Sequence, residues 1–93
     1  MEHITLAMLK HTCGIINRTA GKPEEPWTKG DDGRLVANVG CYHLDGAYGG
    51  WALVQMDNEQ GGISTIIGGF RPKRDLYERM TAYLNGMRAV KTA

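Results

Sequence analysis

One phenylalanine, two cysteines and three prolines are all that this 93-residue sequence holds of those residue types. Two cysteines are too few to staple a small secreted scaffold. Cys13 and Cys41 form no Cys-x-x-Cys pair, so reduced thiols in a cytoplasmic protein are expected. No apolar run approaches the ~18 residues that make a membrane-span candidate. Residues 1–10 carry Glu2, His3 and Lys10 where a secretory signal would have a continuous apolar centre. A membrane partner is therefore not expected. Charge of one sign is also missing: 11 basic against 10 acidic side chains leave a net +1. Dedicated nucleic-acid binders gain much of their affinity from a basic excess, so only a local basic patch could serve that role here. Repeats, low-complexity segments and linkers are absent too, and residues 1–93 read as one domain.

What is present is a patterned chain. Apolar residues make up 42% and charged residues 23%, an ordinary globular balance that argues against disorder. Across residues 4–20, Leu6, Leu9, Cys13 and Ile16 recur at three and four, the spacing of one helical stripe. Gly21 and Pro23 then stop the helix. Gly14 lies mid-helix, where close packing of another element would explain it. Residues 22–33 hold two prolines, two glycines and the pair Glu24–Glu25, and read as a loop carrying Trp27. Residues 35–44, 51–56 and 63–67 have strand character, separated by the turn-formers of 45–50 and 57–62, with Gly40 as a candidate bulge. Short connections make these strands antiparallel. Gly68-Gly69 closes the sheet. Pro72 opens a second helix, whose stripe runs Leu76, Met80, Tyr83, Met87, Val90. The expected fold is α+β: helix, three-stranded antiparallel sheet, helix, with both helices on one sheet face.

Chemistry-bearing patterns are thin. Cys41 and His43 sit two apart on a strand, with Asp45 next in phase, but no fourth ligand accompanies them and the spacing is no zinc signature. Cys13 lies on the apolar stripe and reads as core. No catalytic residue and no cofactor is expected. Gly46, Gly49 and Gly50 join two strands and so read as turn chemistry, not as a phosphate loop. Gly68-Gly69 does lead into a helix, and Arg71, Lys73 and Arg74 gather at its start, a candidate polyanion site. Helix–three strands–helix is also the order of double-stranded RNA-binding domains, which place basic residues there. The 45–50 loop lacks the histidine typical of that family.

The pattern Gly40-x-x-His43-Leu44-Asp45-x-Ala47-Tyr48-Gly49-Gly50-x-x-Leu53-Val54 resembles uncharacterised small proteins of tailed bacteriophages and prophages. So do Asn58-x-x-Gly61-Gly62, Lys73-Arg74-Asp75-Leu76-Tyr77, Gly21-Lys22-Pro23 and Pro26-Trp27, which extend the likeness over residues 21–86. The resemblance implies an origin, and with it the host cytoplasm, more than a mechanism. Together with the absence of catalytic apparatus it points to a non-enzymatic binding protein acting on a host or phage protein. The candidate contact residues are Trp27, Tyr42, Tyr48 and Trp51. The alternative is a nucleic-acid module using Arg71, Lys73 and Arg74. A second copy of the chain is a further candidate partner, because a three-stranded sheet leaves two edges open.

Overall fold

A computed structural model describes residues 3–92. The fold is α+β, with two helices and two small antiparallel sheets. Helix α1, Leu6–Ala20, starts at Thr5, whose extended backbone and hydroxyl leave it free to accept the Met8 amide at 3.2 Å. It stops where the glycine–proline signal puts the stop. Gly21 takes φ 70°, and the Gly21 and Lys22 amides turn back to the carbonyls of Arg18 and Asn17.

The segment after α1 departs from the expected loop. Trp27–Lys29 (β1) and Leu35–Ala37 (β2) pair as a small antiparallel hairpin, reversed by bonds between Gly30 and Arg34 and by the Asp32 carboxylate accepting the Arg34 amide. The single strand expected over 35–44 is thereby broken. The cause is a turn at 38–41: Cys41 donates to the Asn38 carbonyl at 3.1 Å and Gly40 adopts φ 90°, open to glycine alone without strain. Leu35–Ala37 then pairs with its sequence neighbour instead of the main sheet. The hairpin docks through Ala37, which packs with Cys41 and Met56 and donates its amide to Glu59.

The main sheet holds β3 (Tyr42–Ala47), β4 (Gly50–Met56) and β5 (Ile63–Arg71) in that order, antiparallel throughout. Its first turn is only Tyr48-Gly49, tighter than the 45–50 stretch suggested. β5 runs through Gly68-Gly69 to Arg71 with two register shifts, where the sequence suggested an end. Helix α2, Lys73–Thr92, follows Pro72, whose carbonyl accepts the Leu76 amide. The order is therefore helix, hairpin, three strands, helix, and the inserted hairpin separates it from the RNA-binding-domain order.

One core cluster joins Leu9, Cys13 and Ile16 of α1, Leu76, Met80 and Leu84 of α2, and Tyr42 and Leu53 of the sheet. Tyr42 opposes Gln55 and Leu44 opposes Leu53, so Tyr42, Leu44 and Leu53 face the same side, towards both helices. Leu9, Ile16, Leu53, Leu76 and Met80 are fully buried, each contributing about 2 kcal/mol from removal of apolar surface. Val90 belongs to the expected stripe yet stands exposed. The 20 residues of α2 span ~30 Å and run past the core.

Met56 donates to the Cys41 carbonyl, which sets the ladder phase. Cys41, His43 and Asp45 bond to β4, while Tyr42, Leu44 and Gly46 turn their backbone groups outward. At Tyr42 the outward pair is met by a side chain. Asn17 donates from Nδ2 to the Tyr42 carbonyl at 2.9 Å and accepts the Tyr42 amide at 2.7 Å. Asn17 is 1% exposed, so both bonds lie out of water. Asn17→Ala strands two buried backbone groups, and the expected loss is about 2–4 kcal/mol in urea unfolding. Asn17→Asp keeps the acceptor for the amide but leaves the carbonyl facing an oxygen, and is expected to be no better tolerated.

Candidate functional site

The turn joining β3 and β4 puts φ 53° at Tyr48 and φ 74° at Gly49, both left-handed, the conformation in which a two-residue turn matches strand twist. Glycine takes it freely. Tyrosine carries a Cβ and is strained there, where asparagine or aspartate is usual. The Tyr48 side chain gains little burial in return, since the residue is 94% exposed. Among the described residues, one other non-glycine position has positive φ: Phe70, at 45°. The two rings touch edge to face, 5.5 Å between centroids and 63° between planes. Gly50 lets this happen, because a Cβ there would run into the Phe70 carbonyl.

Trp51 extends the aromatic surface inward. Its ring lies over Gly46, where a Cβ would approach Cζ3 to 2.8 Å, and it packs against the helix core. Trp51 and Gly49 line a cleft of about 390 Å³ together with His3, Pro72, Lys73 and Arg74. The basic trio is not equally exposed. Arg71 donates from Nε to the Gly68 carbonyl and from Nη1 to Asp75, each at 2.9 Å. Asp75 also takes Arg79 at 3.0 Å, and the two guanidiniums hold its carboxyl below the ordinary 3.8. Arg71 is thus a strut between the end of β5 and the first turn of α2. Lys73 and Arg74 carry the exposed positive charge at the cleft.

The four aromatics proposed from sequence do not share one surface. Tyr48 and Trp51 belong to this end of the sheet. Trp27 is 41% exposed at the opposite end, where its ring lies on Gly61 in the β4–β5 turn. Six or seven strand residues, ~20 Å, separate the two turns. Tyr42 is 8% exposed, inside the core, with its hydroxyl 2.9 Å from that of Tyr83. Burial, then the Tyr83 bond, pushes its phenol up to about 12. Phe70 escaped the sequence reading. Its signal was the stretch Gly68-Gly69-Phe70-Arg71-Pro72, in which the sole phenylalanine follows two glycines.

Cys41, His43 and Asp45 keep strand phase, but the Cys41 thiol is buried against Asn17 and the Tyr42 carbonyl. Burial raises the thiols of Cys41 and Cys13, the latter to about 12, so neither supplies a thiolate at neutral pH. His43 Nε2 is buried with no hydrogen-bond partner among the described residues. Among the described residues no group of three or more His, Cys, Asp or Glu is placed to hold a metal, and no helix is long and apolar enough to cross a membrane. Comparison with protein-family models, curated proteins and solved structures finds no match to this chain.

Two outcomes follow from this geometry. Tyr48→Asn relieves the turn and is expected to raise the melting temperature by a few degrees, corresponding to about 0.5–1 kcal/mol. The Asp75 carboxyl lies lower in the folded chain than in the unfolded one. Its contribution is therefore present above the ordinary carboxylate range and disappears as pH falls through the folded value. Urea midpoints of wild type and Asp75→Asn are expected to differ at pH 7 and to converge in strong acid.

Proposed function

We propose that this chain is a non-enzymatic binding protein of phage or prophage origin that modulates a host or phage protein by direct contact. The contact surface is the end of the sheet displaying Tyr48 and Phe70, flanked by Trp51, Lys73 and Arg74. The observation that carries this reading is the strained, 94% exposed Tyr48 supported by Phe70, which also has positive φ. Backbone strain of order 1–3 kcal/mol at a water-facing residue contributes nothing to packing, and such strain clusters where chains bind or react. Rigid aromatics rimmed by cations suit an acidic, partly apolar protein surface, because aromatic and arginine side chains supply most interface hot spots. The likeness of residues 21–86 to small phage proteins supports the same reading.

A specific observation favours a second reading. Lys73 and Arg74 share a cleft with Trp51 beside the exposed Tyr48 ring and the half-buried Phe70 ring, an arrangement that also suits unpaired bases stacked on aromatics with phosphates on cations.

Affinity capture from host lysate separates the two. Wild type is expected to retain a specific protein after nuclease treatment, and Tyr48→Asn, folded and no less stable, to lose it. Equal capture by both proteins would dispose of the contact surface. Salt-sensitive retardation of single-stranded RNA or DNA, weakened by Lys73→Glu, would instead support the second reading.

A further inference from the structure

A groove of about 590 Å³ runs between α1 and the outer edge of β3, lined by Leu6, Lys10 and Gly14 on the helix and by Leu44, Trp51 and Glu25 across from it. We infer that this groove takes an extended segment of a partner protein, which adds a strand to β3 at Leu44. The inference rests on reading the chain as a protein-binding domain, but uses a surface other than the Tyr48 end.

Three independent features carry it. The first is hydrogen bonding. Tyr42 and Leu44 both direct backbone groups away from β4. Asn17 fills the Tyr42 pair in the manner of a neighbouring strand, while the outward N–H and C=O of Leu44 have no protein partner among the described residues. An extended chain supplies such a pair, as it does wherever a peptide joins a sheet edge.

The second is Gly14. A glycine inside a helix is unfavourable against alanine, and close packing is the usual reason to keep it. Here that reason is missing among the described residues. A Cβ at Gly14 would meet only Arg18 Nη1 and Glu24 Oε1, each at 3.6 Å, an ordinary contact. The bare backbone instead widens the groove opposite Leu44, as glycine does where another main chain approaches closely.

The third is charge. Glu24 is engaged by Arg18 at 2.6 Å, whereas the neighbouring Glu25 has no cation in reach among the described residues. Lys10 stands one helical turn from Gly14 towards Leu6. The groove is therefore acidic at one end and basic at the other. It fits a segment that presents lysine or arginine to Glu25, an apolar side chain to Leu44 and Trp51, and aspartate or glutamate to Lys10.

The test is selection from a library of random short peptides on the immobilised chain, followed by titration of a selected peptide into isotopically labelled protein. Sequence-related binders with that charge order are expected, with the Leu44 amide slowed in hydrogen exchange on binding. Gly14→Gln, a helix-favouring change, is expected to leave the melting temperature unlowered and to weaken the peptide by roughly tenfold or more. Glu25→Lys is expected to abolish the preference for a basic residue. Failure to select related peptides, an unprotected Leu44 amide in the complex, or undiminished binding to Gly14→Gln would each overturn the inference. Binding that survives Gly14→Gln but is lost in Tyr48→Asn would refute the groove while leaving the protein-binding reading intact.

Discussion

The paired hydrogen bonds between the Asn17 side-chain amide and the Tyr42 backbone, one donated and one accepted, are the constraint on which the remaining structure depends. Apolar contacts among Leu9, Ile16, Leu53 and Met80 drive collapse, but such contacts are non-directional and would tolerate a helix slid or rotated by a fraction of a turn. The amide does not. It fixes α1 along and around its axis relative to one residue of an edge strand, and so decides which helix residues face the core and which face the groove. The buried thiols serve the same carbonyl: Cys13 donates to it at 3.2 Å and Cys41 at 3.4 Å. Burial keeps both sulfurs protonated, which is the state in which they can donate. The two cysteines therefore belong to the joint between helix and strand rather than to a reactive site.

Local signals carried most of the fold. The stop at Gly21, the helix beginning after Pro72 and the three antiparallel strands were legible because each rests on residues close in sequence: a left-handed glycine, a fixed proline φ, a two-residue turn. The hairpin of β1 and β2 was not. Leu35 to Leu44 alternates acceptably as one strand, and nothing in that alternation tells whether Asn38 continues the ladder or turns away from it. The outcome was set by Asn38 bonding the Glu25 carbonyl and Thr28, contacts thirteen and ten residues back in the chain. Val90 shows the converse limit. A stripe gives the direction a helix face points, but not how far the opposing sheet extends.

The candidate site was half legible. Aromatic and basic residues near the two ends of the sheet were visible as separate sets, one around Tyr48 and one around Lys73. Their meeting was not, because it requires β5 to continue through two glycines and deliver Phe70 beside the opposite turn. Tyr42 and Trp27 were drawn into the aromatic set by composition alone. Tyr42 is consumed by the core and its bond to Tyr83, and Trp27 by the turn at Gly61. Asn17 and Gly14 gave weaker signals still: a polar residue whose place on the helix reads as pointing away from the apolar stripe, though it is buried, and a glycine without a turn.

The irregularity of β5 bears on how molecules of this chain meet one another. Its nine residues from Ile63 to Arg71 run against six of β4, from Trp51 to Met56, and the surplus is absorbed in two register shifts. A straight strand laid along its outer side would fall out of step within a few residues, since such shifts disrupt the ladder and increase local twist. The long open margin of the sheet is thereby a poor template for fibrillar stacking, and the same glycines that bring Phe70 to the surface help keep concentrated solutions of the protein from polymerising edge to edge.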